Sequence, residues 1–224
     1  VKKLRATGPT VTEAIEKVKQ QFDLMDEEFD YTVIEKGSKG FFGLMAKEAV
    51  VEITIKNGFY KRKLEQFMNH ILSTYGDINV NVQCVGKKFS VELEGKDLGR
   101  LIGKHGKTLA ALQHIATIYL NRLSDTKLSV IVDAGEYRER RKKSLEHMVK
   151  QVIENVRTNK GKVILDPMFS FERRVVHEIA KNYCDIKSYS IGIEPYRKVV
   201  IEYCPDSKES LRPDQNFKSS VRGS

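Results

Sequence analysis

Hydrophobic positions fall into short alternating runs separated by stretches with helical spacing. Leu4 and Ala6 alternate, as in a strand with one buried face. Thr10 and Glu13 have the spacing of a capping box, and Ala14, Ile15, Val18 and Phe22 follow at helical intervals. Phe29, Tyr31 and Val33 alternate, as do Ala49, Val51, Ile53 and Ile55. The first segment therefore reads strand, helix, strand, strand. Between its last two strands lies Gly40-Phe41-Phe42-Gly43, a glycine-flanked loop with an apolar centre. Phe41 and Phe42 either fold back over the small sheet or form an exposed knob for a partner.

Asn57-Gly58 begins a new unit. Leu64, Phe67, Met68, Ile71 and Leu72 make a helical apolar face, then Ile78, Val80, Val82 and Cys84 alternate. After the turn at Gly86, Phe89, Val91 and Leu93 form a second alternating strand. A short helix from Asp97 to Ile102, a tight turn, a longer helix from Lys107 to Leu123 and a strand at Leu128, Val130 and Val132 complete the unit. The third unit opens with a helix from about Glu136 to Val156, whose Leu145, Met148, Val149, Val152, Ile153 and Val156 form one stripe. Residues 162–165 suggest a strand, and Asp166-Pro167 suggests a helix start, because proline is tolerated in a first turn. Residues 186–193 and 196–203 read as a strand pair joined through Glu194-Pro195. From Pro205 the chain is polar and aperiodic and is expected to be disordered.

Composition narrows the class. Forty per cent hydrophobic and 31% charged residues over 224 positions suit a globular α+β chain of a few small domains. Three scattered cysteines give no disulfide framework and no zinc pattern. No apolar run is long enough to span a membrane and no signal-peptide core is present, so a cytoplasmic protein is expected. The net charge is +9, unevenly spread: residues 1–56 hold 9 basic and 10 acidic side chains, residues 57–224 hold 30 and 20. A basic body of this kind suits a polyanionic partner.

Two motifs carry the candidate chemistry. Gly103-Lys104-His105-Gly106 sits between two helices, with Arg100 before it and Lys107 after it. Glycines let backbone approach a ligand, and the following helix start would favour a phosphate. A nucleotide-binding P-loop is excluded by spacing, because the position five before Gly106 is Leu101. The second motif is Arg173-Arg174 with His177, where Arg173 and His177 lie four apart on one helix face. Arginine can fork onto phosphate and stack on bases. The histidines show no nucleophile–base arrangement and no metal-ligand spacing, so no enzyme, cofactor or metal is expected.

Residues 59–133 resemble a type II KH domain, with Gly103 to Gly106 as its GXXG loop. The resemblance implies a clamp for about four nucleotides of single-stranded RNA or DNA. Residues 136–203 resemble an R-three-H domain, named for its Arg-x-x-x-His pair; Ile191 stands where the family's familiar form has glutamate. The N-terminal segment resembles that of Jag proteins, also called KhpB or SpoIIIJ-associated proteins. Its expected domains are 1–56 (Jag N-terminal), 57–134 (KH) and 135–204 (R-three-H), with 205–224 as the tail. The resemblance implies a bacterial cytoplasmic RNA-binding protein linked to RNA chaperoning, cell shape and envelope homeostasis. It also implies a second small KH protein as partner, with self-association as a further option. Some members carry a long charged linker after the first domain; here Lys56 leads almost directly to Phe59, so the domains are expected to lie close together.

The expected nucleic-acid contacts are Arg100, Gly103, Lys104, His105, Gly106, Lys107, Arg173, Arg174 and His177. Two weak modules on one strand would gain avidity. The competing reading is a protein-interaction adaptor that docks partners through Phe41, Phe42 and a KH face, with RNA secondary. Binding of an anionic membrane surface through residues 138–143 is the weakest option, because the stripe on that helix reads as core.

Overall fold

The computed structural model describes residues 2–38 and 47–205. Phe41, Phe42 and the segment from 206 onward lie outside the described residues. The chain divides into two compact units, one reaching to Tyr137 and the other starting at Arg138.

In the first unit, β1 (Lys3–Gly8), α1 (Val11–Phe22), β2 (Phe29–Glu35) and β3 (Ala49–Ile55) form the N-terminal part. Its antiparallel sheet has the order β1-β3-β2. The central strand β3 buries Ala49, Val51, Ile53 and Ile55, the alternation that its sequence requires. Strand β2 departs from expectation: Phe29 is buried but Tyr31 is 53% exposed, as suits an edge strand. Helix α1 starts where the Thr10 hydroxyl accepts the Glu13 amide at 3.2 Å. It ends at Asp23, in left-handed backbone with φ 52°.

The chain continues through α2 (Asn57–Leu72), β4 (Ile78–Val85), β5 (Lys88–Gly95), α3 (Gly99–Ile102), α4 (Lys107–Leu123) and β6 (Ser129–Ala134). The β4-β5-β6 sheet pairs β4 and β5 antiparallel and β5 and β6 parallel. Alternate residues Val80, Val82, Phe89, Val91, Leu93, Val130 and Val132 are buried in a core with α2 and α4, which contribute Leu64, Met68, Leu109, Ala116 and Leu120.

Both parts of this unit share one contiguous core. Several contacts tie them together. The Lys2 amide donates to the Tyr60 hydroxyl at 3.2 Å, and the Lys56 amide to the Glu28 carbonyl at 2.7 Å. Arg62 of α2 forks onto the Glu28 carboxylate, with Nε–Oε1 2.6 Å and Nη2–Oε2 2.7 Å, and also reaches Asp23. Burial alone would raise the Glu28 carboxyl, but Arg62 and the Met25 amide hold it below the usual carboxylate range.

The second unit holds most of α5 (Tyr137–Asn159), then β7 (Lys162–Ile164), α6 (Ser170–Ala180), β8 (Ile186–Ile191) and β9 (Lys198–Tyr203). Its antiparallel sheet has the order β7-β9-β8. The α5 stripe is core: Leu145, Val149, Ile153 and Val156 are buried against Val176, Ala180, Val199 and Ile201. Helix α6 starts at Ser170, later than Asp166-Pro167 suggested. Residues 166–169 run without regular structure, with the Leu165 amide donating to Val199 and the Met168 amide to Arg197. The Glu172 carboxylate accepts the Phe169 amide at 2.9 Å and so fixes the helix start.

Candidate nucleic-acid interface

The first candidate surface is the bend between α3 and α4. Three of its four residues have positive φ: Gly103 at 67°, His105 at 56° and Gly106 at 80°. The glycines serve the chain's own packing. A Cβ on Gly103 would fall on the Thr108 hydroxyl and lie 2.9 Å from its Cβ; one on Gly106 would come within 2.8 Å of the Tyr137 ring. The ligand approach expected of these glycines is therefore not toward their Cβ positions, which the protein itself occupies. Lys104 and Lys107 are exposed. The residue at the N-cap of α4 is Gly106, which has no side chain to cap the first turn, and the helix's amides and dipole begin beside the two lysines.

His105 and Arg100 sit differently from the two lysines. His105 turns inward, with its Nε2 buried and without a hydrogen-bond partner. Arg100 is separated from Lys104 by the positive-φ break at Gly103 and does not continue its helical turn. Its guanidinium lies over the Tyr75 ring, 5.6 Å from the centroid.

The second surface is a cleft of about 440 Å³ along α6, closed by the β8–β9 segment. Arg173, Arg174, His177, Lys181, Ser190 and Arg197 line it, with Ser170 at the α6 start and Glu178 as its carboxylate. Arg174, Lys181 and Arg197 are exposed. Arg173 is only 7% exposed: its Nη1 donates to the Met168 carbonyl at 2.8 Å and its Nη2 to Glu194 at 2.5 Å. The expected Arg173–His177 ridge is thus half internal, with Arg173 bracing the cleft wall. His177 is held between two hydroxyls, Nδ1 to Ser188 at 2.8 Å and Nε2 to Ser190 at 3.0 Å. Burial, and then Arg173, Lys181 and Arg197, push its imidazole below the usual histidine range. A neutral ring suits this pair of partners, since each hydroxyl can donate or accept.

Sequence reasoning missed Lys181, Arg197 and the two serines. Lys181 lies four residues after His177 and was legible as the same helix face. Ser188 and Ser190 alternate on β8, but only the fold brings that strand beside α6. Behind the cleft, buried Glu172 accepts Arg141 Nε at 2.8 Å, so one of the arginines in residues 138–143 has a structural partner. Among the described residues no group of His, Cys, Asp or Glu could hold a metal, and no helix is long and apolar enough to cross a membrane.

Three families match this chain in succession: the Jag N-terminus over residues 6–55, the KhpA/KhpB KH domain over 61–132 and the R-three-H domain over 143–203. With the loop and the cleft each inside its own matched domain, the fold defines an α+β protein that joins a KH module to an R-three-H module behind a Jag-type N-terminal domain. A Clostridium symbiosum protein named RNA-binding protein KhpB is 34% identical over 198 residues, covering 87% of this chain and 89% of that one. A Bacillus subtilis protein of the same name is 32% identical over 206 residues, covering 91% and 99%. One from Lactiplantibacillus plantarum is 40% identical over 155 residues, covering 67% and 48%. The chain belongs to the KhpB family.

Proposed function

We propose that this protein binds single-stranded RNA without chemistry of its own, using the α3–α4 bend and the α6 cleft as two weak grips on one strand. The cleft carries the reading. It gathers the exposed cations Arg174, Lys181 and Arg197 near the Glu178 carboxylate, and the Ser190 hydroxyl, oriented by His177, adds a group that tolerates phosphate oxygens or sugar hydroxyls. At the bend, Lys104 and Lys107 and the uncapped turn of α4 hold backbone phosphates. Arg174, Lys181 and Arg197 do so in the cleft, while Arg173 braces its wall. The names of the relatives, RNA-binding protein KhpB, support RNA over single-stranded DNA.

The same reading places the protein in the cytoplasm, where Cys84, Cys184 and Cys204 stay reduced, in a role in RNA chaperoning or post-transcriptional control that reaches cell shape and envelope homeostasis. A second small KH protein or a second copy is a natural partner, because Ile115 and Ile118 leave an exposed apolar patch on α4. Titration of a labelled RNA oligonucleotide tests the reading. Lys104→Glu with Lys107→Glu weakens binding and flattens its salt dependence; unchanged affinity and salt dependence would remove the bend from the interface.

A further inference from the structure

The cleft offers charge and hydrogen bonds, but among the described residues its lining holds no Phe, Tyr or Trp on which a base could stack. Two exposed rings belong to residues that adjoin its lining in the chain. Tyr196 is 67% exposed and directly precedes the lining residue Arg197. Phe171 is 56% exposed and directly follows the lining residue Ser170. The Phe171 ring lies parallel to that of Phe169, with centroids 5.8 Å apart and planes 10° apart, so its position is set by a neighbour.

Both ring-bearing segments are tied down. The Tyr196 amide donates to the Ile193 carbonyl at 2.9 Å, and the Met168 amide to the Arg197 carbonyl at 3.3 Å. The buried Arg173 guanidinium bonds Met168 on one side and Glu194 on the other, so one group secures the chain beside each ring. Exposed aromatics held next to a cationic recess suit an occupant that combines flat apolar groups with negative charge. A polynucleotide strand is such an occupant; a protein segment would need acidic and flat apolar side chains in the same order.

We infer that Phe171 and Tyr196 are base-stacking platforms, each receiving one nucleobase while neighbouring phosphates lie against Arg174, Lys181 and Arg197. This rests on the strand-binding reading and adds to it the part of the ligand that is recognised. Stacking of this kind is sequence-tolerant, because every base has a π-face.

The test compares an RNA oligonucleotide carrying 2-aminopurine with an abasic strand of the same length. The wild-type protein binds the base-bearing strand more tightly and changes the 2-aminopurine emission. Phe171→Ala and Tyr196→Ala each weaken that strand roughly 5- to 150-fold. They leave abasic binding and the salt slope unchanged. Equal binding of both strands by the wild type overturns the inference without using a variant. So does undiminished binding by both variants, or loss of a protein partner alone. Failure of both strands to bind sinks the strand-binding reading itself, a different result from the other three.

Discussion

Replacing Arg62 with methionine keeps most of the side-chain stem and removes the fork that neutralises Glu28. Glu28 is 3% exposed, and its carboxylate takes two Arg62 hydrogen bonds of 2.6 and 2.7 Å together with the Met25 amide at 3.0 Å. Leaving a buried charge without its partner costs about 3–5 kcal/mol. The Arg62 side chain is itself 17% exposed, which lets water into the site and favours the lower end, about 3 kcal/mol. Changing Glu28 to methionine as well removes the stranded charge, so the double variant should recover most of that loss. It should still lack about 1 kcal/mol for the Met25 amide bond. The chain has no tryptophan, so urea unfolding is best followed by far-UV circular dichroism, with hydrogen exchange resolved by segment. The shared core requires β1, β3, α2 and β5 to lose protection together. Arg62→Met with stability within 0.5 kcal/mol of wild type, on the order of the ordinary surface effect, would refute the buried-pair argument. Loss of protection confined to β1–β3 would refute the single core.

The same pair sets an acid response. Lys63 and then Arg62 hold the Asp23 carboxyl down to about 2, and Glu28 also lies below its ordinary range, so both bind protons more weakly in the folded chain. Their stabilisation is present above the ordinary carboxylate range of roughly 4 and is lost as pH falls toward 2. The gap in stability between wild type and Arg62→Met should therefore shrink on acidification, as circular dichroism at stepped pH would show. His177 should titrate below 6.5 by NMR, with its contribution to stability full above that pH and lost as pH falls through the folded value; a midpoint above 6.5 contradicts the assigned cleft. Gly103→Ala forces a Cβ onto Thr108 at φ 67° and should cost about 2 kcal/mol in urea unfolding. An unchanged midpoint would show that the bend adopts another shape.

Much of this was legible because it is local. The α5 stripe of Leu145, Val149, Ile153 and Val156 and the alternation of β3 each declare a buried face through period alone. The element order around Gly103–Gly106 also followed from local pattern. What escaped depended on contacts distant in the chain. The α6 start is set by Glu172 reaching back to the Phe169 amide, with no Ser, Thr, Asp or Asn in the capping position to announce it. Spacing put Arg173 and His177 on one face but could not show that Met168 and Glu194 engage the arginine or that Ser188 and Ser190 hold the imidazole. The bend glycines read as room for a ligand because their sequence neighbours are lysines; the groups that fill their Cβ positions, Thr108 and Tyr137, belong to the helices that follow. The short passage from Lys56 to Phe59 hinted at close domains, yet the Arg62–Glu28 tie required the fold to be seen.

The most direct measurement is the affinity for a single-stranded RNA oligonucleotide across a salt series, for the wild type and for Arg174→Ala/Lys181→Ala/Arg197→Ala. Each phosphate neutralised on a single strand contributes about −0.7 to the slope of log K against log salt. A steep wild-type slope that falls by about 2 in the triple variant is the expected result. A flat wild-type slope, or the same slope in both proteins, would contradict the cleft as a site for the strand.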